Sequence, residues 1–193
     1  MARATKKTSR HLSESLVLAG VICRALGFSS NDEMLRTLRT VEDGYDEEGR
    51  SYLFHALISR TGIDEDIRAH LEEYDENIRE HLQQVNKRRP DALVLKYYQY
   101  LTALATEIYL DRYFRDAEAL LAELNAHVED FNCGEWPPTN GNRIAAPLPE
   151  RDQVKPFERE DLTKLAFWMA TGSGKTTISK ALIQHIPQDE RLI

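Results

Sequence analysis

Apolar residues return every three or four positions through most of this chain, the spacing of a helix that buries one face. Leu12, Leu16, Ala19, Cys23 and Leu26 follow that rule and Gly27 stands where such a helix would end, so a first helix is expected over residues 10–26. Ser30 offers an N-cap to a shorter helix carrying Met34, Leu35, Leu38 and Val41, expected to stop near Gly44. A third helix is expected from Glu48 to Arg60, closing at Thr61-Gly62. The clearest stripe is Ile67, Leu71, Tyr74, Ile78, Leu82 and Val85, with charged and amide side chains on the other faces. It predicts an amphipathic surface helix that runs out at Lys87-Arg88-Arg89-Pro90, because proline disfavours helix in the residue before it.

From Ala92 to Phe114 the polar face nearly vanishes. Leu93, Val94, Leu95, Tyr97, Tyr98, Tyr100, Leu101, Leu104, Ile108, Tyr109, Leu110 and Tyr113 describe a helix that is apolar almost all round, hence a buried one. Asp116 either caps a further helix through Leu120, Leu121, Leu124, Val128 and Phe131 or marks a bend in one continuous helix. No strand pattern of any length precedes residue 131 and no internal repeat is visible, so residues 1–131 read as an N-terminal helical domain. Asn132, Gly134, Pro137, Pro138, Asn140, Gly141, Pro147, Pro149 and Pro156 then crowd turn formers into residues 132–160, the composition of a connection between domains. Trp136 and Ile144 are the residues that would tack this linker to a surface.

A chain of 193 residues accommodates one domain, or one domain and part of another. With 41% hydrophobic and 30% charged residues it has the composition of a soluble globular protein, and no apolar run approaches the ~20 residues of a membrane helix. Arg3, Lys6, Lys7 and Arg10 precede the run Leu16–Cys23, but Glu14 interrupts the region and no small-residue cleavage pattern follows, so the start reads as a tail leading into a helix. Cys23 and Cys133 lie far apart without metal-ligand spacing; neither a disulfide framework nor a zinc site is indicated, and a cytoplasmic setting is expected. Net charge is −7, and residues 1–160 alone carry 21 basic against 29 acidic residues, a balance of −8. Phosphate backbones are bound by basic surfaces, so this acidic region is a poor platform for nucleic acid.

The chemistry lies near the end. Lys164 to Ala170 is an apolar run of strand length, Thr171-Gly172-Ser173-Gly174-Lys175-Thr176 is a glycine-containing loop, and Thr177 to Ile183 has helical spacing. Strand, loop and helix in that order are the setting of a nucleotide phosphate-binding loop. Gly172 and Gly174 let successive backbone N–H groups turn inward toward phosphate oxygens, and the following helix contributes its positive end. In this reading Lys175 reaches the β- and γ-phosphates of ATP and the Thr176 hydroxyl completes the coordination of Mg²⁺. Thr171 opens the loop, while Ser173 and Thr177 line the same turn with weaker claims. The strict pattern asks for glycine at the place held by Met169, and the competing explanation is a chance Gly-Ser-Gly turn before a helix.

That departure narrows the comparison. Leu165-Ala166-Phe167-Trp168-Met169-Ala170-Thr171-Gly172-Ser173-Gly174-Lys175-Thr176 resembles the first motif of superfamily 2 helicases and translocases, in particular DEAD/DEAH-box helicase-like proteins related to the motor subunits of type I and type III restriction enzymes. Lys96 to Tyr100 and Glu107 to Phe114 also resemble the N-terminal extension of some of these proteins. The resemblance implies a mostly α chain: an N-terminal helical domain, then the first strand–P-loop–helix of a truncated RecA-like α/β domain over residues 161–193. It implies ATP and Mg²⁺ as cofactors and nucleic acid, DNA before RNA, as partner of the full-length protein, in a setting such as restriction or phage defence. A protein partner for the helical domain is also admitted, and no membrane. In such motors two lobes clamp ATP, a downstream Asp-Glu pair holds Mg²⁺ and positions water, and second-lobe arginines stabilise charge. The chain reaches Ile193 before any of these, so no catalytic residue is assigned within it and turnover by these residues alone is not expected. Transporter and secretion ATPases share Thr-Gly-Ser-Gly-Lys-Thr, usually behind glycine, which leaves a non-helicase P-loop ATPase as one alternative. A helical protein-interaction module with a vestigial loop is the other.

The remaining features have plainer readings. His11, His55, His70, His81, His127 and His185 include no pair at i, i+4 and read as surface or core histidines. Glu107 and Asp111 could form a carboxylate pair, but Arg112 and Arg115 favour ion pairing. Lys87-Arg88-Arg89 suits a helix C-terminus, and the spacing of the tyrosines between 97 and 113 buries most of them rather than building a stacking platform.

Overall fold

The structure, a computed structural model, describes residues 16–87, 89–136 and 147–167. They form a mostly helical architecture: α1 Val17–Ala25, α2 Asn31–Leu38, α3 Tyr52–Ile58, α4 Glu65–Asn86 and α5 Tyr97–Cys133, followed by two short 3-10 turns, Glu150–Asp152 and Arg159–Thr163. Among the described residues the only β pairing is an isolated bridge between Tyr45 and Ser51. No described helix is long and apolar enough to cross a membrane.

α1 ends as expected at Gly27, whose φ of 77° is the left-handed turn that glycine tolerates. The Phe28 N–H donates to the Cys23 carbonyl at 3.0 Å and the Gly27 N–H to that of Arg24 at 2.9 Å, capping two carbonyls that the helix leaves open. This turn lies backbone to backbone with the turn after α3. A Cβ on Gly27 would sit 2.8 Å from the Gly62 carbonyl carbon, and the Asp64 N–H donates to the Ala25 carbonyl at 2.8 Å. Positions 10–15 of the expected first helix lie outside the described residues.

Ser30 is the N-cap of α2, accepting from the Glu33 N–H at 3.2 Å. The helix stops at Leu38, well short of Gly44, because turn bonds take over: the Thr40 hydroxyl and N–H both turn back to the Thr37 carbonyl. Val41 therefore packs on the core from outside the helix. α3 likewise starts at Tyr52 and not at Glu48. The Asp46 carboxylate accepts from the N–H groups of Glu48 and Arg50 at 2.9 and 2.8 Å, a side-chain turn that outcompetes helix, and Ser51 caps α3 through the Phe54 N–H. The Arg68 guanidinium, one turn into α4, donates to the carbonyls of Ile58 and Arg60 and covers the α3 C-terminus.

α4 follows its stripe: Ile67, Leu71, Tyr74, Ile78 and Leu82 are buried. After it, residues 92–96 are not helical, contrary to the expectation for 92–114. The Asn86 side-chain amide makes two bonds to the backbone of Leu93, accepting from its N–H at 2.9 Å and donating to its carbonyl at 3.0 Å, and so occupies the peptide groups a helix would need. From Gln99 to Leu110 no residue of α5 is exposed, as the all-round apolar pattern requires. Asp116 resolves the open choice downstream: its φ of −159° and ψ of 88° interrupt α5, and its carboxylate caps the next turn by accepting from the Ala119 N–H at 3.0 Å.

Two apolar clusters result. The larger gathers α1 to α4 around the first half of α5, joined by Phe131 near its end and Trp136 just after it, with Leu26, Leu38, Leu57, Ile67, Leu71 and Leu104 among its fully enclosed side chains. The smaller lies between Val17 and Val21 of α1, the Tyr109, Leu120, Leu124 and Val128 positions of α5, and Leu162 from the segment beyond the helices.

Candidate functional site

Thr171, Gly172, Ser173, Gly174, Lys175, Thr176 and Thr177 all lie outside the described residues, as do Trp168 to Ala170 and the helix expected after the loop. What the structure does describe is the approach to them. Residues 164–167, the first part of the expected strand, carry no strand assignment; Lys164 is extended, with φ −113° and ψ 104°.

The approach is bound along α5 by side-chain amides. Asn132 accepts from the Val154 N–H and donates to the Val154 carbonyl, both at 2.9 Å. Two helical turns earlier, Asn125 does the same to Phe157, at 2.7 and 3.1 Å. The register follows from geometry: seven residues of helix rise about 10.5 Å, and three residues of extended chain span about 10 Å. Two asparagines on one face therefore meet two peptide units that are three residues apart, with the segment running antiparallel to α5. Pro156, which has no N–H to offer, falls between the clamps. The Asn132 backbone carbonyl adds a bond from the Leu148 N–H at 2.8 Å.

Further on, the turn Arg159–Thr163 is closed by Asp161, which accepts from the Glu158 N–H at 3.0 Å; that bond and Lys164 hold its carboxyl below the usual range. Leu162 is buried in the smaller cluster, and the Tyr109 hydroxyl donates to its carbonyl at 2.7 Å. Arg159 pairs with Glu118 on the surface. Leu165 packs against the same cluster, so the chain is held to within a few residues of Ala170.

Elsewhere the polar groups join helices. Asp75, buried in α4, accepts from the Ser51 N–H at 3.0 Å and the Tyr100 hydroxyl at 2.6 Å, which joins the start of α3 to α5. Burial and the Asp75 charge push the Tyr100 phenol well above its ordinary value. Asp111 takes the Tyr74 hydroxyl at 2.6 Å and pairs with Arg115 at 3.1 Å, which bears out ion pairing for that carboxylate. Arg112 turns to Glu123 at 2.6 Å, and buried Glu107 accepts from the Asn77 amide at 3.2 Å. Of the five tyrosines from 97 to 113, Tyr100 and Tyr109 are buried and the other three half-buried. Lys87 is the C-cap of α4, while Arg88, His11, His185 and Ile144 lie outside the described residues.

His127 faces α1 where Gly20 leaves room for its ring; a Cβ there would overlap the imidazole. Its Nδ1 is buried without a hydrogen-bond partner. Burial and the nearby Arg24 push its pKa down to about 4. Trp136, as expected of it, ties down the chain after α5: it is buried beside His127 with the Arg24 guanidinium 4.7 Å above its ring, and Arg24 pairs with Asp130 at 2.6 Å. Both cysteines are free, and burial raises the Cys23 thiol to about 12. The shifts on Tyr100, His127 and Cys23 carry each group further from neutral pH, the reverse of what an acid–base catalyst needs. Among the described residues no three His, Cys, Asp or Glu side chains are disposed to hold a metal ion.

Asn125 and Asp75 were not singled out from sequence; Tyr109 was read only as part of a buried helix and Asn132 only as a turn former, whereas it lies within α5. The available signal was two asparagines seven positions apart beside the apolar stripe Leu124, Val128 and Phe131. Comparison with protein-family models, with curated proteins and with solved structures finds no match to this chain.

Proposed function

We propose that this chain is the N-terminal, ATP-binding portion of a nucleic-acid helicase or translocase of the DEAD/DEAH-box-like type, of the kind that serves restriction or phage defence. The observation that carries the reading is the segment Leu165 to Thr176, an apolar run entering Thr-Gly-Ser-Gly-Lys-Thr ahead of a helical pattern. Lys175 meets the β- and γ-phosphates and Thr176 the Mg²⁺, with Thr171 to Gly174 and Thr177 forming the surrounding turn. Hydrolysis and movement along DNA belong to the whole motor. The acidic helical region supports a division of labour in which nucleic acid is contacted elsewhere, since residues 1–160 carry a net −8 from 21 basic and 29 acidic side chains.

Titration of labelled ATP with Mg²⁺ against the chain and its Lys175→Ala variant tests this. The expected result is saturable binding that the substitution weakens at least tenfold, the loss of a charge-assisted phosphate contact. Equal or absent binding in both would leave the loop without a role. The second reading, a helical module that binds a protein partner, would then stand; it is supported by the two apolar clusters that the described helices form.

A further inference from the structure

We propose that His127, Trp136 and Arg24 form an acid-operated latch: protonation of the imidazole lifts Trp136 off the end of α5 while the helices stay packed. Three observations carry it. The ring is enclosed, with His127 2% exposed and its Nδ1 buried without a hydrogen-bond partner. The enclosure has no slack on the α1 side, since a Cβ at Gly20 would overlap the imidazole and stand 3.0 Å from the indole nitrogen of Trp136. And the indole that covers the imidazole, 5.3 Å away between ring centroids, belongs to a residue beyond the end of α5.

Such a site holds a neutral imidazole at modest cost, because in one tautomer Nδ1 carries no proton and asks for no acceptor. The imidazolium carries N–H on both nitrogens, so Nδ1 would become a buried, charged donor with nothing to receive it. Two charged groups among the described residues act on the ring, Arg24 from α1 and Asp130 from α5. Arg24 repels the imidazolium, and the Asp130 carboxylate is already taken by Arg24 at 2.6 Å. Some part of the enclosure must therefore open to water. α1 and α5 are fixed to each other by Val17, Val21, Leu124 and Val128 in the smaller apolar cluster. Trp136 instead follows the turn at Gly134, where the Glu135 and Trp136 N–H groups both donate to the single Asp130 carbonyl, at 2.7 and 3.3 Å. A segment held by so few bonds opens without global unfolding, so Trp136 is the part that moves. The enclosed ring protonates at about 4 and one open to water near 6.5, so the folded, closed form binds fewer protons in between and acid favours opening. The opening constant should rise about tenfold for each pH unit across that window, about 300-fold in all.

Hydrogen exchange of the Trp136 indole N–H in the full chain, corrected for the intrinsic rate at each pH and read against the amides of α4, tests the latch. Indole protection is expected to fall about 300-fold from pH 6.5 to 4, with α4 at least about tenfold better protected at every pH. In His127→Gln, which cannot take up the proton, indole protection should stay level across the same range. The reverse coupling supplies a second variant, should that one not fold. Trp136→Ala removes the cover, so the His127 ring is expected to titrate near 6.5 by nuclear magnetic resonance, against about 4 in the wild type, with α4 still protected at neutral pH. Indole protection independent of pH, indole and α4 protection that coincide as in one global unfolding, or an equal fall in His127→Gln each overturns the inference. So does a His127 ring that titrates alike with and without Trp136.

Discussion

Around Leu104 the chain is held by side chains packed on side chains, while the described residues 153–158 are held on α5 by amides gripping an extended backbone between two short 3-10 turns. The first region closes with few buried polar obligations, because each helix satisfies its own peptide groups and Asp75, Ser51 and Tyr100 satisfy one another. The second cannot do that. An extended segment laid on a helix finds few backbone partners there, since the helix has used its own internally except in its last turn, where the Asn132 carbonyl takes the Leu148 N–H, and side chains with both functions must supply the rest. Asparagine has a donor and an acceptor on one planar group, the same pair a neighbouring strand would present. The contrast is between a core whose loss unfolds the molecule and a seam whose loss frees one segment.

The largest effect is expected in the first region. Leu104→Ala removes a fully enclosed side chain at the centre of the larger cluster and should cost about 3 kcal/mol, seen as a lower denaturation midpoint for the entire helical signal. A loss confined to residues 147–167 would break the comparison. Next comes the junction of the two regions at His127. An imidazole in the unfolded chain protonates near pH 6.5, whereas in the folded chain it waits until about 4, so the folded state binds fewer protons in between. Stability should therefore fall as pH drops from 6.5 to 4, by up to about 3 kcal/mol, and level off with respect to this group below that. Arg24 and Asp130 are the charged groups that bear on it, and Arg24 acts in the same sense as burial. Denaturation midpoints across that window should slope for the wild type and much less for His127→Gln.

In the second region, Tyr109→Phe strands the buried Leu162 carbonyl and should cost about 1 kcal/mol, with faster exchange restricted to residues near 157–163. If α4 loses protection to the same extent, the two regions are one cooperative unit and the seam is not separable. The smallest effect is expected from Arg159→Ala. Arg159 and Glu118 are both largely exposed, so their ion pair should contribute less than about 0.5 kcal/mol and the variant should melt with the wild type.

The helices were legible where burial alone decides them. The Ile67 to Leu82 stripe, the Ser30 cap, the glycine stop at 27 and the enclosed stretch through Leu110 all follow from side-chain periodicity or from a residue's own backbone preferences, whereas α3 ends at Ile58, short of the Arg60 end and Gly62 stop expected for it. Three boundaries were not legible. Asp46 and Asn86 hold helix starts back to Tyr52 and Tyr97 through bonds to particular peptide groups, and Thr40 with its neighbours closes α2 early. In each case a polar side chain competes with the helix for backbone partners, and periodicity carries no trace of that competition. Residues 132–160 read as a connection on composition, and their described part leaves α5 at Gly134, two residues later than that reading places it. That it lies clamped along α5 depends on Asn125, in sequence an ordinary polar position, and on Asn132, which reads as a turn former but belongs to α5.

By itself, then, the sequence determined the helical class and the faces that turn inward, and it holds the Thr-Gly-Ser-Gly-Lys-Thr pattern on which the nucleotide-binding proposal rests, because each depends on residues close together in the chain. Only the tertiary structure decided which amides hold which peptide units, how Gly27 meets Gly62 and why His127 stays neutral beside Gly20. Those depend on groups that are distant in sequence and meet only once the backbone has folded, where an unpaired polar atom is costly and a matched one fixes register.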